Sequence, residues 1–139
     1  MSVRRVPPQD AKALMDHEGY AYVDVRSVPE FEAGHPEGAY NIPIAQAGPR
    51  GMAPNPDFVA VVTAHFPKDA KLVLGCQSGG RSFHAAQVLL SAGFTDVVDQ
   101  RAGFEGAWGE PGWRPAGLPT SRSAAPGRDY AALRGAKPA

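Results

Sequence analysis

Apolar positions along the chain switch repeatedly between a spacing of two and a spacing of three to four. Residues 3–6, VRRV, suit a short strand. PPQDAKALMDHEG then places proline in a first turn, Ala11, Leu14 and Met15 at helical spacing, and Gly19 as a stop, which predicts a helix ending near residue 19. In AYVDVR, residues 21–26, alternation puts Tyr22, Asp24 and Arg26 on one face of a strand and Val23 and Val25 on the other. SVPEFEAGHPEG predicts a short helix opened by proline and closed by glycine, and AYNIPI an apolar segment edged by Pro43. Residues 45–56 read as loop, because Gly48, Pro49, Gly51, Pro54 and Pro56 crowd together. Asn55 is then the N-cap and Pro56 the first residue of a helix with Phe58, Val59, Val62 and Phe66 as its stripe. KLVLG at 71–75 has the nearly continuous apolar run of a strand buried on both faces. RSFHAAQVLLSA at 81–92 predicts a helix burying Ala85, Val88 and Leu89, with Gly93 just past its end, and FTDVVDQ one more strand. The pattern stops beyond Leu118, so residues 120–139 are expected to be a flexible tail in which YAALR makes at most one helical turn.

Strands alternating with helices predict an α/β domain, its sheet mainly parallel and covered on both faces. With 139 residues, 43% of them apolar and 20% charged, one globular domain is expected over residues 1–119. Lys plus Arg and Asp plus Glu balance at 14 each, which removes the cationic field that nucleic-acid binding relies on. The first ten residues, MSVRRVPPQD, lack an apolar run, and no later stretch has bilayer length, so a soluble cytoplasmic protein without a membrane partner is expected. Cys76 is the only cysteine, so neither an internal disulfide nor a cysteine-rich zinc site can form. It is either inert filler or a reactive thiol.

The stretch LVLGCQSGGRSFHAAQVLL, residues 72–90, decides between those two. A buried strand runs into Cys76, then a loop with two glycines, then a helix. Gly79 and Gly80 permit positive φ, which turns successive N–H groups inward, and the helix beginning near Arg81 adds its own unpaired N–H groups and positive end. An anion fits the centre of such a ring, which favours the thiolate of Cys76 over its thiol, and Arg81 adds a full positive charge. A filler cysteine needs none of these neighbours.

CQSGGRS at 76–82, with cysteine first and arginine sixth, resembles the active-site loop of single-domain rhodaneses. YVDVRSVPEFEAGHPEGAYNIP at 22–43 resembles the same family's N-terminal signature, and AGFEGAWGEPGWRPAGLP at 102–119 is similar to its closing glycine-tryptophan segment. The likeness spans residues 3–119 and is greatest to plant chloroplast and bacterial single-domain sulfurtransferases. It implies a rhodanese-like three-layer sandwich, a five-stranded, mainly parallel sheet with helices on both faces. It also implies a ping-pong reaction in which Cys76 takes a sulfane sulfur from thiosulfate or a low-molecular-weight persulfide and passes it to cyanide or a thiol, with a protein as a further acceptor. Backbone N–H groups from Gln77 to Arg81 would hold the persulfide, the hydroxyls of Ser78 and Ser82 would add donors, and an Asp24–Arg26 ion pair would brace the loop. No metal and no cofactor is implied. Gln77, Ser78, Gly79 and Gly80 are all neutral, unlike the basic loops of thiosulfate-specialised two-domain rhodaneses, so a less anionic persulfide suits this loop at least as well.

A cysteine phosphatase or arsenate reductase of the same fold would need five residues between cysteine and arginine to surround a phosphate, and here there are four. Non-catalytic rhodanese-like binding modules usually lack the cysteine. His35 is expected in a surface turn; His17, His65 and His84 fall on predicted helices without carboxylates at ligand spacing. Trp113 reads as packing, and Trp108 as packing or a wall of the site.

Overall fold

The computed structural model describes residues 3–107 and 109–135. In chain order these form β1 (Arg4–Val6), α1 (Pro8–Glu18), β2 (Ala21–Asp24), α2 (Val28–Ala33), β3 (His35–Pro36) and β4 (Tyr40–Asn41). A hairpin of β5 (Ala45–Gly48) and β6 (Gly51–Pro54) leads to α3 (Phe58–His65), β7 (Lys71–Gly75), α4 (Gly80–Ser91) and β8 (Asp96–Gln100). β9 (Gly106–Ala107), β10 (Glu110–Pro111), β11 (Thr120–Ser121) and α5 (Tyr130–Gly135) complete the set.

Five strands in the order β1-β8-β7-β2-β4 make one sheet, every neighbouring pair parallel. Alternation along the strands assigns its two faces. Val23, Leu72, Leu74 and Val97 pack with Phe58, Val61 and Val62 of α3, Ala85, Ala86 and Leu89 of α4, and Tyr130 and Leu133 of α5. Tyr22, Val73 and Val98 turn the other way, onto Ala11 and Leu14 of α1 and Phe31 of α2. A side chain such as Leu89, fully buried, contributes about 1.5–3 kcal/mol by leaving water. The parallel sheet covered on both faces that the residues predict, and the five strands that the resemblance implies, are both observed.

Three expectations differ. Residues 45–54, read as loop, pair as the antiparallel hairpin β5–β6, in register from Ala45 opposite Pro54 to Gly48 opposite Gly51. The helix after it begins later than Pro56, because Asn55 closes a turn of its own: its Oδ1 accepts from the Asp57 N–H at 3.1 Å, and α3 starts at Phe58. The expectation of a flexible tail is corrected for residues 120–135, which lie on the domain. β11 pairs with β3, Tyr130 and Leu133 are buried, and His65 Nε2 lies 2.7 Å from the Leu133 carbonyl.

Candidate active site

β2 and β7 are parallel neighbours, with Asp24 opposite Gly75 at their carboxyl ends. The chain leaves β2 toward α2 on one face and leaves β7 toward α4 on the other, which opens a crevice at the end of the sheet. Cys76 follows Gly75 directly into that crevice. The Phe104 N–H donates to the Cys76 carbonyl at 2.7 Å and the Glu105 N–H to the Gln77 carbonyl at 3.1 Å, so both loop carbonyls are tied to the neighbouring segment.

Cys76 is 2% exposed. The Gly79 N–H donates to Cys76 Sγ at 3.0 Å, and Ser82 Oγ stands 3.4 Å from the same sulfur. Gly79 reaches this position with φ +98°, and a Cβ there would stand 2.3 Å from the Arg101 carbonyl oxygen. Among the described residues, the N–H groups of Gln77, Ser78, Gly80 and Arg81 have no protein acceptor, which leaves four donors at the loop. Gly80 differs from the expectation: its φ is not positive, and a Cβ on it would meet nothing. Ser78 is exposed, and its hydroxyl makes no hydrogen bond among the described residues.

Asp24 and Arg26 form a buried pair with Nη2 to Oδ2 at 2.8 Å. Arg26 Nη1 donates to Gln77 Oε1 at 3.2 Å and Nη2 to the Gly34 carbonyl at 2.6 Å, which joins the loop to the end of α2. Its guanidinium also lies over the Phe104 ring, 4.5 Å from the centroid. Arg81 brings its charge to the site already paired. Its Nη1 and Nη2 grip both oxygens of Glu30, at 2.7 and 2.8 Å. That fork, aided by the Ser27 hydroxyl and N–H, lowers the Glu30 carboxyl to about 2.

Glu30 is thus a site residue that the sequence reading passed over. Its signal was present, since Ser27 and Glu30 make the S-x-x-E capping box that opens α2. Asp99 gave no local signal. Buried on β8, it lies 2.5 Å from Ser82 Oγ through Oδ1 and 2.8 Å from Arg5 Nε through Oδ2. Burial pushes its carboxyl above the usual range, against the opposing pull of Ser82 and Arg5. His35 is not in a surface turn: it is 1% exposed, its ring stacked 3.7 Å from Phe31. His17 and His84 are exposed and His65 half-buried, and no three metal-ligating side chains converge among the described residues. Trp113 is buried edge-to-face on Tyr22, while Trp108 lies outside the described residues.

No helix among the described residues is long and apolar enough to cross a membrane. The model of the rhodanese-like domain family matches residues 7–110. The chain is 45% identical over 117 residues to thiosulfate sulfurtransferase 16, chloroplastic, of Arabidopsis thaliana, across 81% of this chain and 92% of that one. It is 43% identical over 105 residues to rhodanese-like domain-containing protein 15, chloroplastic, of the same plant, across 76% of this chain and 57% of that one. The crystal structure of Rv0390 from M. tuberculosis matches with a TM-score of 0.74 and 28% identity, over 88% of this chain and 100% of that one. Both plant relatives are chloroplastic by name, which overturns the expectation of a cytoplasmic protein. That expectation rested on the first residues of the chain, which do not decide a compartment. With the family model matching most of its length and the first of these plant relatives 45% identical, the chain belongs to the rhodanese-like domain family as a sulfurtransferase of the rhodanese type.

Proposed function

We propose that Cys76 is the sulfur carrier and that a low-molecular-weight persulfide is its preferred donor, ahead of thiosulfate. The observation that carries the first half is the hydrogen bond from the Gly79 N–H to Sγ, within a loop whose other N–H groups are free to receive a second sulfur. The Cys76 thiolate attacks the outer sulfur of the donor. A bond forms between the two sulfurs, the donor's S–S bond breaks, and its electron pair leaves as a thiolate from a persulfide or as sulfite from thiosulfate. The enzyme now carries Cys–S–S⁻. The N–H groups of Gln77, Ser78, Gly80 and Arg81 and the hydroxyl of Ser82 are the donors within reach of that anion. Cyanide or an acceptor thiolate then attacks the outer sulfur, and Cys76 leaves as thiolate.

The donor preference follows from charge. The four residues from Gln77 to Gly80 are neutral, and three guanidiniums around the loop are already ion-paired, Arg5 to Asp99, Arg26 to Asp24 and Arg81 to Glu30, which leaves the exposed Arg122 in the pocket beside Gln77. Little net positive charge remains for thiosulfate, which brings both of its charges into the loop, while a persulfide such as that of glutathione brings a single charge on its reacting end. The name of the first plant relative assigns thiosulfate to that protein, which makes the comparison informative. The test is a steady-state panel of thiosulfate, 3-mercaptopyruvate and glutathione persulfide with wild type and Cys76→Ser. Glutathione persulfide should give the highest kcat/KM and the variant none. A higher kcat/KM for thiosulfate would overturn the donor assignment, and turnover by the variant would overturn the carrier.

A further inference from the structure

The buried carboxyl of Asp99 takes no part in the steps above, yet a single hydroxyl connects it to the nucleophile. Asp99 Oδ1 lies 2.5 Å from Ser82 Oγ, which in turn lies 3.4 Å from Cys76 Sγ. Ser82 and Asp99 are both 0% exposed and Cys76 is 2% exposed, so the whole chain of three is out of water. A hydroxyl has one proton. When sulfur carries its proton, S–H can donate to Ser82 Oγ while Ser82 donates to the Asp99 carboxylate. When sulfur is ionised and accepts from Ser82, the direction must reverse, and Asp99 must then supply a proton to Ser82 Oγ.

We propose that Ser82 and Asp99 form a proton relay in which the resting enzyme stores the thiol proton of Cys76 on Asp99. The S–H bond breaks and its proton goes to Ser82 Oγ. The O–H bond of Ser82 breaks in turn, and its proton forms the O–H bond of a neutral Asp99 carboxylic acid. Thiol plus carboxylate becomes thiolate plus carboxylic acid, with no proton exchanged with water. The inference rests on Cys76 being the sulfur carrier and adds the means by which a sulfur shielded from solvent becomes its reactive anion. Ser82 touches the sulfur, and Asp99 is a positioning residue that acts through Ser82.

Burial favours the neutral acid of Asp99, and Arg5 opposes it. Arg5 on β1 faces Asp99 through Oδ2 and leaves Oδ1 to Ser82. Arg81 on α4 and Tyr22 on β2 are the charged or titratable groups that act on Cys76 from the neighbouring elements, and Arg81 carries Glu30 of α2 with it. Among the described residues only Ser82 bridges the sulfur and the carboxyl. Burial, which holds the Asp99 carboxyl above its ordinary range, makes it a better match for a thiol proton than an exposed aspartate would be.

Infrared spectroscopy of the full-length protein at neutral pH, with ¹³C-labelled aspartate for assignment, tests the relay. Wild type should lack a thiol S–H band and show a protonated-carboxyl band. That carboxyl band should vanish in Asp99→Asn and also in Cys76→Ser, where no thiol proton is available to store. In Asp99→Asn, which has no carboxylate to take up the proton, the ultraviolet absorption of the thiolate should fall and an S–H band should appear. A persistent S–H band in wild type, a wild-type thiolate without the Cys76-dependent carboxyl band, or an undiminished thiolate in Asp99→Asn would overturn the relay. The mass of Cys76 after donor treatment separates the two failures: sulfur gained without the carboxyl band removes only the relay, and no sulfur gained removes the carrier itself.

Discussion

A Cβ on Gly79 would collide with the Arg101 carbonyl, whereas one on Gly80 would meet open space. The two glycines therefore have opposite tolerance for a side chain. Gly79→Ala must relieve a positive φ at a cost of about 1–3 kcal/mol and swing its N–H off the sulfur, so sulfur transfer should fall more than tenfold, by loss of a charge-assisted bond of about 1.5–3 kcal/mol. Gly80→Ala, at the first turn of α4, should leave transfer near the wild-type rate and stabilise the fold by about 0.4–1 kcal/mol. Transfer assays with denaturant melts check both; equal damage from the two changes would mean that the loop is not held as described. The loop was legible because Cys76 to Ser82 is contiguous and each residue type has a local reason. What sequence could not separate was the conformation of two adjacent glycines, since only the approach of Arg101, 22 positions away in the chain, distinguishes them. Asp99 was illegible for the same reason: 17 residues part it from Ser82, and burial alone gives it meaning.

Glu30 and Arg81 join two elements, the N-terminal turn of α2 and the first turn of α4, across 51 residues. The Glu30 carboxyl falls from an ordinary 4.5 to about 2 on folding, so the folded state binds its proton less tightly than the unfolded chain. Its contribution to stability is therefore complete above pH 4.5 and is lost as pH drops toward 2. Glu30→Gln should flatten the loss of stability across that window, measured by urea unfolding at stepped pH. Parallel curves for variant and wild type would contradict the role given to the pair. Regular elements with long apolar stripes, β7, α4 and β8, were readable from periodicity. The β5–β6 hairpin was not, because its residues are half-buried or exposed, with glycines and prolines where an alternating face would be. The start of α3 moved for a local reason as well, since Asn55 spends its side chain on a turn and on the Pro43 carbonyl and Tyr130 hydroxyl.

At the scale of the molecule, residues 120–135 close one face of the domain with only two buried anchors, Tyr130 and Leu133. Two apolar residues in a run of small and polar ones leave almost no periodic signal, which is why the segment read as a tail. Leu133→Ala should cost about 2–5 kcal/mol in urea unfolding, the ordinary price of a buried leucine, and a change within error would place the segment off the core. The sheet order and the switch point between β2 and β7 bring the Asp24–Arg26 pair, the Glu30–Arg81 pair and the cysteine loop to one end of the sheet, at the crevice that Cys76 enters. Intact-mass measurement of wild type and Cys76→Ser after glutathione persulfide, and again after cyanide, tests that arrangement most directly. Wild type should gain one sulfur atom and lose it to cyanide, and the variant should gain none; an unchanged wild-type mass, or an equal gain in the variant, would contradict the assignment of Cys76 as the sulfur carrier.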